Sequence, residues 1–248
     1  MHVYFIRHAQ SENNALWSSN GNREGRSADP HITELGKKQA NLIAEYLPQC
    51  LLDDQMYPIN INTQSGTLQY QSKPSGNIFL YSSLFIRSVE TGLVIADKMK
   101  TPLRGFIDIH ESGGVFKEDI DSGALVGCPG KSRKYFEENY PNMILPDGLT
   151  NSGWWNKSFE ERPERRKRAK RVLKFLYDSH KGKNDTVIMI SHQGFYNFLL
   201  REIFEVPLDS ENWFELYNTA ITYMQFRTSF INLVYQNNTN FLPKELIT

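Results

Sequence analysis

The apolar residues of this chain fall in short, nearly unbroken runs, separated by longer segments where they recur every three or four positions. Val3–Ile6, Ile78–Tyr81 and the β-branched Thr186–Ile190 are runs of the first kind, and Phe106–Ile109 is a weaker fourth. A strand covered on both faces reads as a continuous apolar run, because the side chains on its two sides are both buried. The intervening segments carry a helical period. Thr33 is placed to cap a helix whose Leu35, Leu42, Ile43, Tyr46 and Leu47 approximate one face. Ser88–Met99, about Glu161–His180 and Gly194–Phe204 read as further helices, and Ala220–Phe226 and Phe230–Tyr235 as two late strands. Strands alternating with helices predict βαβ crossovers. The expected fold class is therefore α/β: a three-layer sandwich, with a mainly parallel central sheet and helices on both faces.

Two stretches break that rhythm. Residues 51–76 are polar and carry Pro58, Gly66, Pro74 and Gly76, which predicts an inserted surface loop with a short hairpin. Residues 112–160 are rich in Gly, Pro and aromatic residues and predict an irregular, lid-like excursion over the sheet. Loops of that length in a compact domain are lids, binding loops or disorder. No internal repeat is visible, and the expectation is a single domain over residues 1–248.

The chemistry lies where the runs end. The first leads into Arg7-His8, the second into Ser82-Ser83 and then Arg87, the weak run into His110-Glu111, and Thr186–Ile190 into Ser191-His192. Open α/β sheets bind ligands in the crevice beyond the carboxyl ends of their strands, where helix N-termini also point free N–H groups. Two guanidinium groups suit the planar, bidentate recognition of phosphate oxygens. A neutral imidazole is a competent nucleophile, and neighbouring Arg charges keep it from protonating. A carboxylic acid can give a leaving alkoxide its proton. Two Arg and a second His can neutralise a phosphoryl group without a divalent cation. The residue set therefore suggests metal-independent phosphoryl transfer through a phosphohistidine, with no cofactor.

Composition narrows this reading without overturning it. The chain has 248 residues, with 28 Lys plus Arg against 28 Asp plus Glu, so its formal net charge is zero. Neutrality argues against a polyanion as the main partner, and no nucleic acid is expected. Cys50 and Cys128 lie far apart, without CxxC or Cys/His zinc spacing, so two reduced thiols and a cytoplasmic location are expected. The apolar run before Arg7 is too short for a signal peptide, and no stretch approaches a membrane span, so no membrane partner is expected.

Five segments, in order, resemble the histidine phosphatase superfamily, the phosphoglycerate-mutase-like branch of α/β proteins. They are RHAQSENN at 7–14, DPHITELGKKQA at 29–40, YSSLFIRSVETG at 81–92, HESGG at 110–114 and ISHQG at 190–194. The resemblance implies that His8 is the phosphorylated nucleophile, and that Arg7, Arg87 and His192 bind the transferring phosphoryl group. It implies further phosphate contacts from Asn14 and from the Ser11 hydroxyl, with Gln193 offering its backbone N–H. Glu111 would be the proton donor and then the base. Ala9 and Gln193 stand where the family usually has Gly; neither removes a reacting group. Phosphoglycerate mutases of this superfamily carry Glu-Arg-x-Tyr-Gly at the acid, whereas Glu111 is followed by Ser112, Gly113, Gly114 and Val115. A phosphomonoester hydrolase acting on a small phosphorylated metabolite is therefore expected. The alternatives are a cofactor-dependent mutase and a non-catalytic phosphate-binding protein. Arg23, Arg26, Lys131, Arg133 and Lys134 are candidates to hold a second anionic group.

Two other motifs have plainer readings. The basic segment 160–176 opens with Glu160, Glu161 and Glu164 and carries Ala169, Val172, Leu173 and Leu176, so it reads as a solvated helix with a core face. GCPGKS at 127–132 resembles a phosphate loop, but Leu125 stands where that pattern needs Gly, and no NTPase is inferred. Trp154, Trp155 and Phe159 read either as the lining of a substrate mouth or as pins of the long excursion, with packing the preferred reading.

Overall fold

The structure, a computed structural model, describes residues 1–22, 24–52, 59–63, 66–70, 76–119, 121–207 and 209–248, with backbone alone for 52, 59–63 and 66–70. The elements in chain order are β1 (His2–Arg7), α1 (Glu12–Asn20), α2 (Glu34–Leu52), β2 (Ile59–Thr63), β3 (Gly66–Tyr70), β4 (Ile78–Ser82), α3 (Ile86–Met99), β5 (Leu103–Gly105), β6 (Phe116–Glu118), β7 (Leu125–Gly127), α4 (Arg133–Asn139), α5 (Arg162–His180), β8 (Thr186–Ser191), α6 (Gln193–Ile203), β9 (Ile221–Phe226) and β10 (Ile231–Asn238). The central sheet has the order β10-β9-β1-β8-β4-β5. Strands β1, β8, β4 and β5 run parallel, and β9 and β10 pair antiparallel at one edge.

Alternation along the buried strands explains the three layers. Tyr4 and Ile6 of β1 and Ile188 and Ile190 of β8 join a core with Ile43 and Leu47 of α2 and Val89 and Ile95 of α3. Val3 and Phe5, with Val187 and Met189, face the other way into a core with Ala169, Val172 and Leu176 of α5 and Phe195 and Leu199 of α6. Successive strand residues point to opposite faces, so a strand between two helical layers must be apolar throughout.

The expected elements are present, with three differences. The weak run Phe106–Ile109 is not a strand: β5 ends at Gly105, and Ile107–Ile109 form a 3-10 turn. Only three residues of β5 pair with β4, after which the chain bends to deliver His110 and Glu111. Helix α1 has no apolar stripe to announce it; Ser11 and Asn14 start it with a reciprocal capping box. The 112–160 excursion contains the β6–β7 hairpin and α4 and is tied down from inside, with Phe136, Trp154 and Trp155 buried in the α2/α3 core. The expected hairpin within 51–76 is present as the antiparallel pair β2–β3; residues 53–58, 64–65 and 71–75 of that insertion lie outside the described residues.

Candidate active site

Four adjacent parallel strands end on one side of the sheet, and each delivers a polar group there. His8 follows β1, His192 follows β8, Arg87 begins the helix after β4, and Glu111 follows the 3-10 turn after β5. His8 is buried, its Nδ1 2.7 Å from the Ala9 carbonyl oxygen and its Nε2 3.1 Å from Arg87 Nε. A carbonyl can only accept, so Nδ1 carries the proton and the Nε2 lone pair receives the Arg87 N–H. Burial first, then the charges of Arg87 and Arg7, push the His8 pKa well below its ordinary value. The ring is thus neutral, with its unprotonated lone pair on Nε2.

The neighbouring groups are held as firmly. Arg87 lies with its guanidinium 4.1 Å over the Phe85 ring, and the same ring meets His192 edge-on at 5.1 Å. The His8 and His192 rings are 5.0 Å apart. His192 Nε2 lies 2.8 Å from Ser83 Oγ, and that oxygen already accepts the Phe85 N–H. Ser88 Oγ lies 3.3 Å from the same His192 nitrogen, and with the nearer Ser83 hydroxyl donating to Nε2 the N–H falls on His192 Nδ1. That Nδ1 is buried without a partner, as is Arg7 Nε. Arg7 is anchored instead through Nη1 to the Leu216 carbonyl at 2.7 Å. Burial lowers the pKa of Arg7 and of Arg87 to about 10, which leaves both cationic at neutral pH.

Glu111 sits at the start of α6. Its Oε1 accepts N–H groups from Ser112 at 2.6 Å and Phe195 at 3.1 Å, and its Oε2 faces the Gly194 N–H at 3.4 Å. Its charge bears on both Arg7 and Arg87.

Of the remaining expected residues, Ser11 and Asn14 cap α1, just after His8 in the chain. Asn14 Oδ1 accepts from Ser11 N at 3.1 Å and from Ser11 Oγ at 2.9 Å. The Gln193 carboxamide is engaged with Glu215 at 2.9 Å. Arg26 and Lys131 reach the site electrostatically, through Arg87 and Asp29 respectively. Arg133 instead braces the excursion through the Leu149 and Pro146 carbonyls, and Lys134 pairs with Glu138 on the surface. Arg23 lies outside the described residues.

Several site-building residues were not singled out from the sequence. A Cβ on Gly194 would overlap Glu111 Oε1, so the acid can approach the helix only because that position is glycine. Arg168 is 1% exposed, forms a two-bond pair with Glu160 at 2.7 Å and donates to the carbonyls of Asp108 and His110. It therefore holds the segment that carries Glu111. The signal was available, since Arg168 lies on the stripe of Val172 and Leu176 at four-residue spacing. Asp29 accepts the N–H of Ile86, the first residue of α3, through Oδ1 at 2.9 Å, while its Oδ2 is buried unpartnered. Trp154 and Trp155 are packing residues, as expected, and Gly130 of the GCPGKS segment lies directly under the Trp154 indole.

Among the described residues, no helix is long and apolar enough to cross a membrane. The family model described as histidine phosphatase superfamily (branch 1) matches residues 3–57 and 64–239. Comparison with curated proteins gives no match. Among solved structures, the fold is similar to a mutant phosphoserine phosphatase from Entamoeba histolytica in complex with phosphoserine, at TM-score 0.57 and 19% identity, covering 98% of this chain and 99% of that one. It is also similar to a mycobacterial glucosyl-3-phosphoglycerate phosphatase complexed with VO3, at TM-score 0.55 and 14% identity, covering 96% and 99%. Bacillus stearothermophilus YhfR gives TM-score 0.55 at 15% identity, covering 97% and 98%.

Proposed function

The chain belongs to the histidine phosphatase superfamily, and on that premise we propose that it hydrolyses small phosphomonoesters through a phosphohistidine at His8. The observation that carries this reading is the His8 tautomer: Nδ1 is spent on the Ala9 carbonyl, and Nε2 faces the Arg87 N–H. Only a neutral imidazole with that nitrogen free can attack phosphorus. When a phosphoryl group enters, Arg87 transfers its N–H from Nε2 to a phosphoryl oxygen, releasing the lone pair at the moment it is needed. Arg7 Nε and His192 Nδ1 supply further donors, both buried and otherwise unpartnered. Asn14 presents its NH2 group, because its oxygen is taken by Ser11.

His8 Nε2 forms a bond to phosphorus as the ester P–O bond breaks, and protonated Glu111 gives its proton to the leaving oxygen. The carboxylate so formed is stabilised by the N–H groups of Ser112 and Phe195. Water then attacks the phosphohistidine, the P–N bond breaks, and Glu111 takes back a proton, returning free imidazole and inorganic phosphate. A hydrolase is favoured over a mutase because Ser112 and Gly114 stand where the mutase pattern has Arg and Tyr. The solved relatives named as phosphoserine and glucosyl-3-phosphoglycerate phosphatases support a small phosphorylated substrate.

The test is His8→Ala with p-nitrophenyl phosphate in excess EDTA. The wild type turns over and traps an acid-labile phosphoprotein, and the variant does neither. Turnover by the variant, or strict dependence of the wild type on added metal, overturns the mechanism.

A further inference from the structure

Resting on the reading of His8 as nucleophile, we infer that the Asn218–Thr219 turn at the head of β9 is a positioning element that aims it. The turn lies outside every motif noted in the sequence, yet its bonds converge on the nucleophile loop. Asn218 Nδ2 donates to the His8 carbonyl at 2.8 Å and reaches Asn14 Oδ1 at 3.4 Å. The Thr219 N–H points at the carbonyls of Arg7 at 3.1 Å and His8 at 3.4 Å. Both residues are buried. One turn thus holds the backbone of the arginine and the histidine, while the Asn14 carboxamide is held by Ser11 at 2.9 and 3.1 Å.

The backbone conformation gives a second, independent observation. Thr219 has φ of 58°, in the left-handed region, although it is β-branched. A branched Cβ crowds the backbone there, and such a residue is a true outlier that persists only where its surroundings over-determine it. The surroundings here are specific. Thr219 Oγ1 donates to the Asn218 carbonyl at 2.7 Å, the Asn218 N–H donates to the Thr248 carbonyl at 2.8 Å, and the Thr248 hydroxyl donates to Asn218 Oδ1 at 3.2 Å. Gln39 completes the frame. Its Nε2 donates to Thr248 Oγ1 at 2.9 Å, and its Oε1 accepts the Gln10 N–H at 2.7 Å. From the other sides, Ser191 accepts the His8 N–H and Thr91 accepts the Ala9 N–H. The loop from Arg7 to Gln10 is therefore held at almost every peptide, and among the described residues only the Asn218–Thr219 turn grips the carbonyl of the nucleophile itself.

The arrangement separates binding from attack. Arg7, Arg87 and His192 carry the phosphate contacts in their side chains, whereas the turn acts on the backbone that sets the direction of His8 Nε2. Misaiming a nucleophile by a fraction of an ångström slows the chemical step without weakening ground-state binding.

The test compares wild type with Asn218→Ala, using p-nitrophenyl phosphate turnover and two inhibitors. Inorganic phosphate binds through the side-chain donors, whereas orthovanadate also takes His8 as a fifth ligand and so reports its aim. Asn218→Ala is expected to lower kcat at least tenfold with KM within threefold, and to weaken orthovanadate at least tenfold with inorganic phosphate within threefold. Should Asn218→Ala not fold, Thr248→Val removes the hydroxyl that seats Asn218, and it is expected to lower kcat and weaken orthovanadate at least fivefold, with KM and inorganic phosphate within twofold. Unchanged kcat and orthovanadate affinity, or equal weakening of both inhibitors, overturns the positioning role. A wild type that neither turns over substrate nor binds phosphate overturns the phosphatase reading itself, and the inference with it.

Discussion

Replacing Asp29 by Asn should make the protein more stable, and more so as the pH rises. Asp29 holds the first N–H of α3 through Oδ1, but its Oδ2 is buried with no partner. Burial raises its pKa from 3.8 to about 6, against the opposing pull of Arg87 and the Ile86 N–H. The folded state therefore binds the proton more tightly than the unfolded chain does. The associated stability is present in full below about pH 3.8 and is lost as pH rises through about 6. At about 1.4 kcal/mol per tenfold in proton affinity, the charged carboxylate costs the native state about 3 kcal/mol at pH 8. Asn keeps the acceptor for Ile86 and removes the charge. Its NH2 group, left without a partner, returns about 1 kcal/mol of that gain. The net of about 2 kcal/mol corresponds to a rise in Tm of about 4–8 °C for a chain of this size. Thermal unfolding of both proteins between pH 4 and pH 8 measures it. The expected gain is near zero at pH 4 and grows to its full size above pH 6. A variant equal to or less stable than wild type at pH 8, or a gain that does not change with pH, refutes the reasoning.

Two further predictions rest on the frame around Glu111. Gly194→Ala places a methyl group where Glu111 Oε1 now lies, so the acid must turn away; turnover of alkyl phosphates should fall at least tenfold and that of aryl phosphates much less, because only the poor leaving group needs the proton. Equal losses on the two substrates would remove Glu111 from that role. Glu160→Gln leaves Arg168 buried with no counter-charge and should destabilise the protein by about 3–5 kcal/mol in a denaturant titration, with the Arg168→Met/Glu160→Gln pair less destabilised than Glu160→Gln alone.

The parallel strands, their helices and the polar groups at the strand ends are readable in one dimension because each is a local property. Val3–Ile6 is apolar at every position because both faces of β1 are covered, and that pattern survives in sequence alone. Arg7-His8, Arg87, Glu111 and Ser191-His192 each follow directly from a strand or its turn, so the topology of a parallel sheet is enough to bring them together. What supports them is different in kind. Arg168 reads as one more basic residue of a charged helix until the structure shows it buried against Glu160 and the His110 carbonyl. Phe106–Ile109 looks like a strand, but its pairing partner ends at Ser82 opposite Gly105, and without a partner the chain tightens into a 3-10 turn. Helix α1 leaves no apolar period because its start is set by a capping box and not by a buried face.

The sequence by itself determined the layered fold and the chemical identity of the polar groups at the strand ends, since periodicity and residue type are written along the chain. Only the tertiary structure decided which nitrogen of His8 is free, which face of Arg168 is buried, and that Asn218 and Thr219 close over the His8 carbonyl. Those outcomes depend on contacts between residues up to 210 positions apart, and the geometry of such contacts exists only once the sheet has formed.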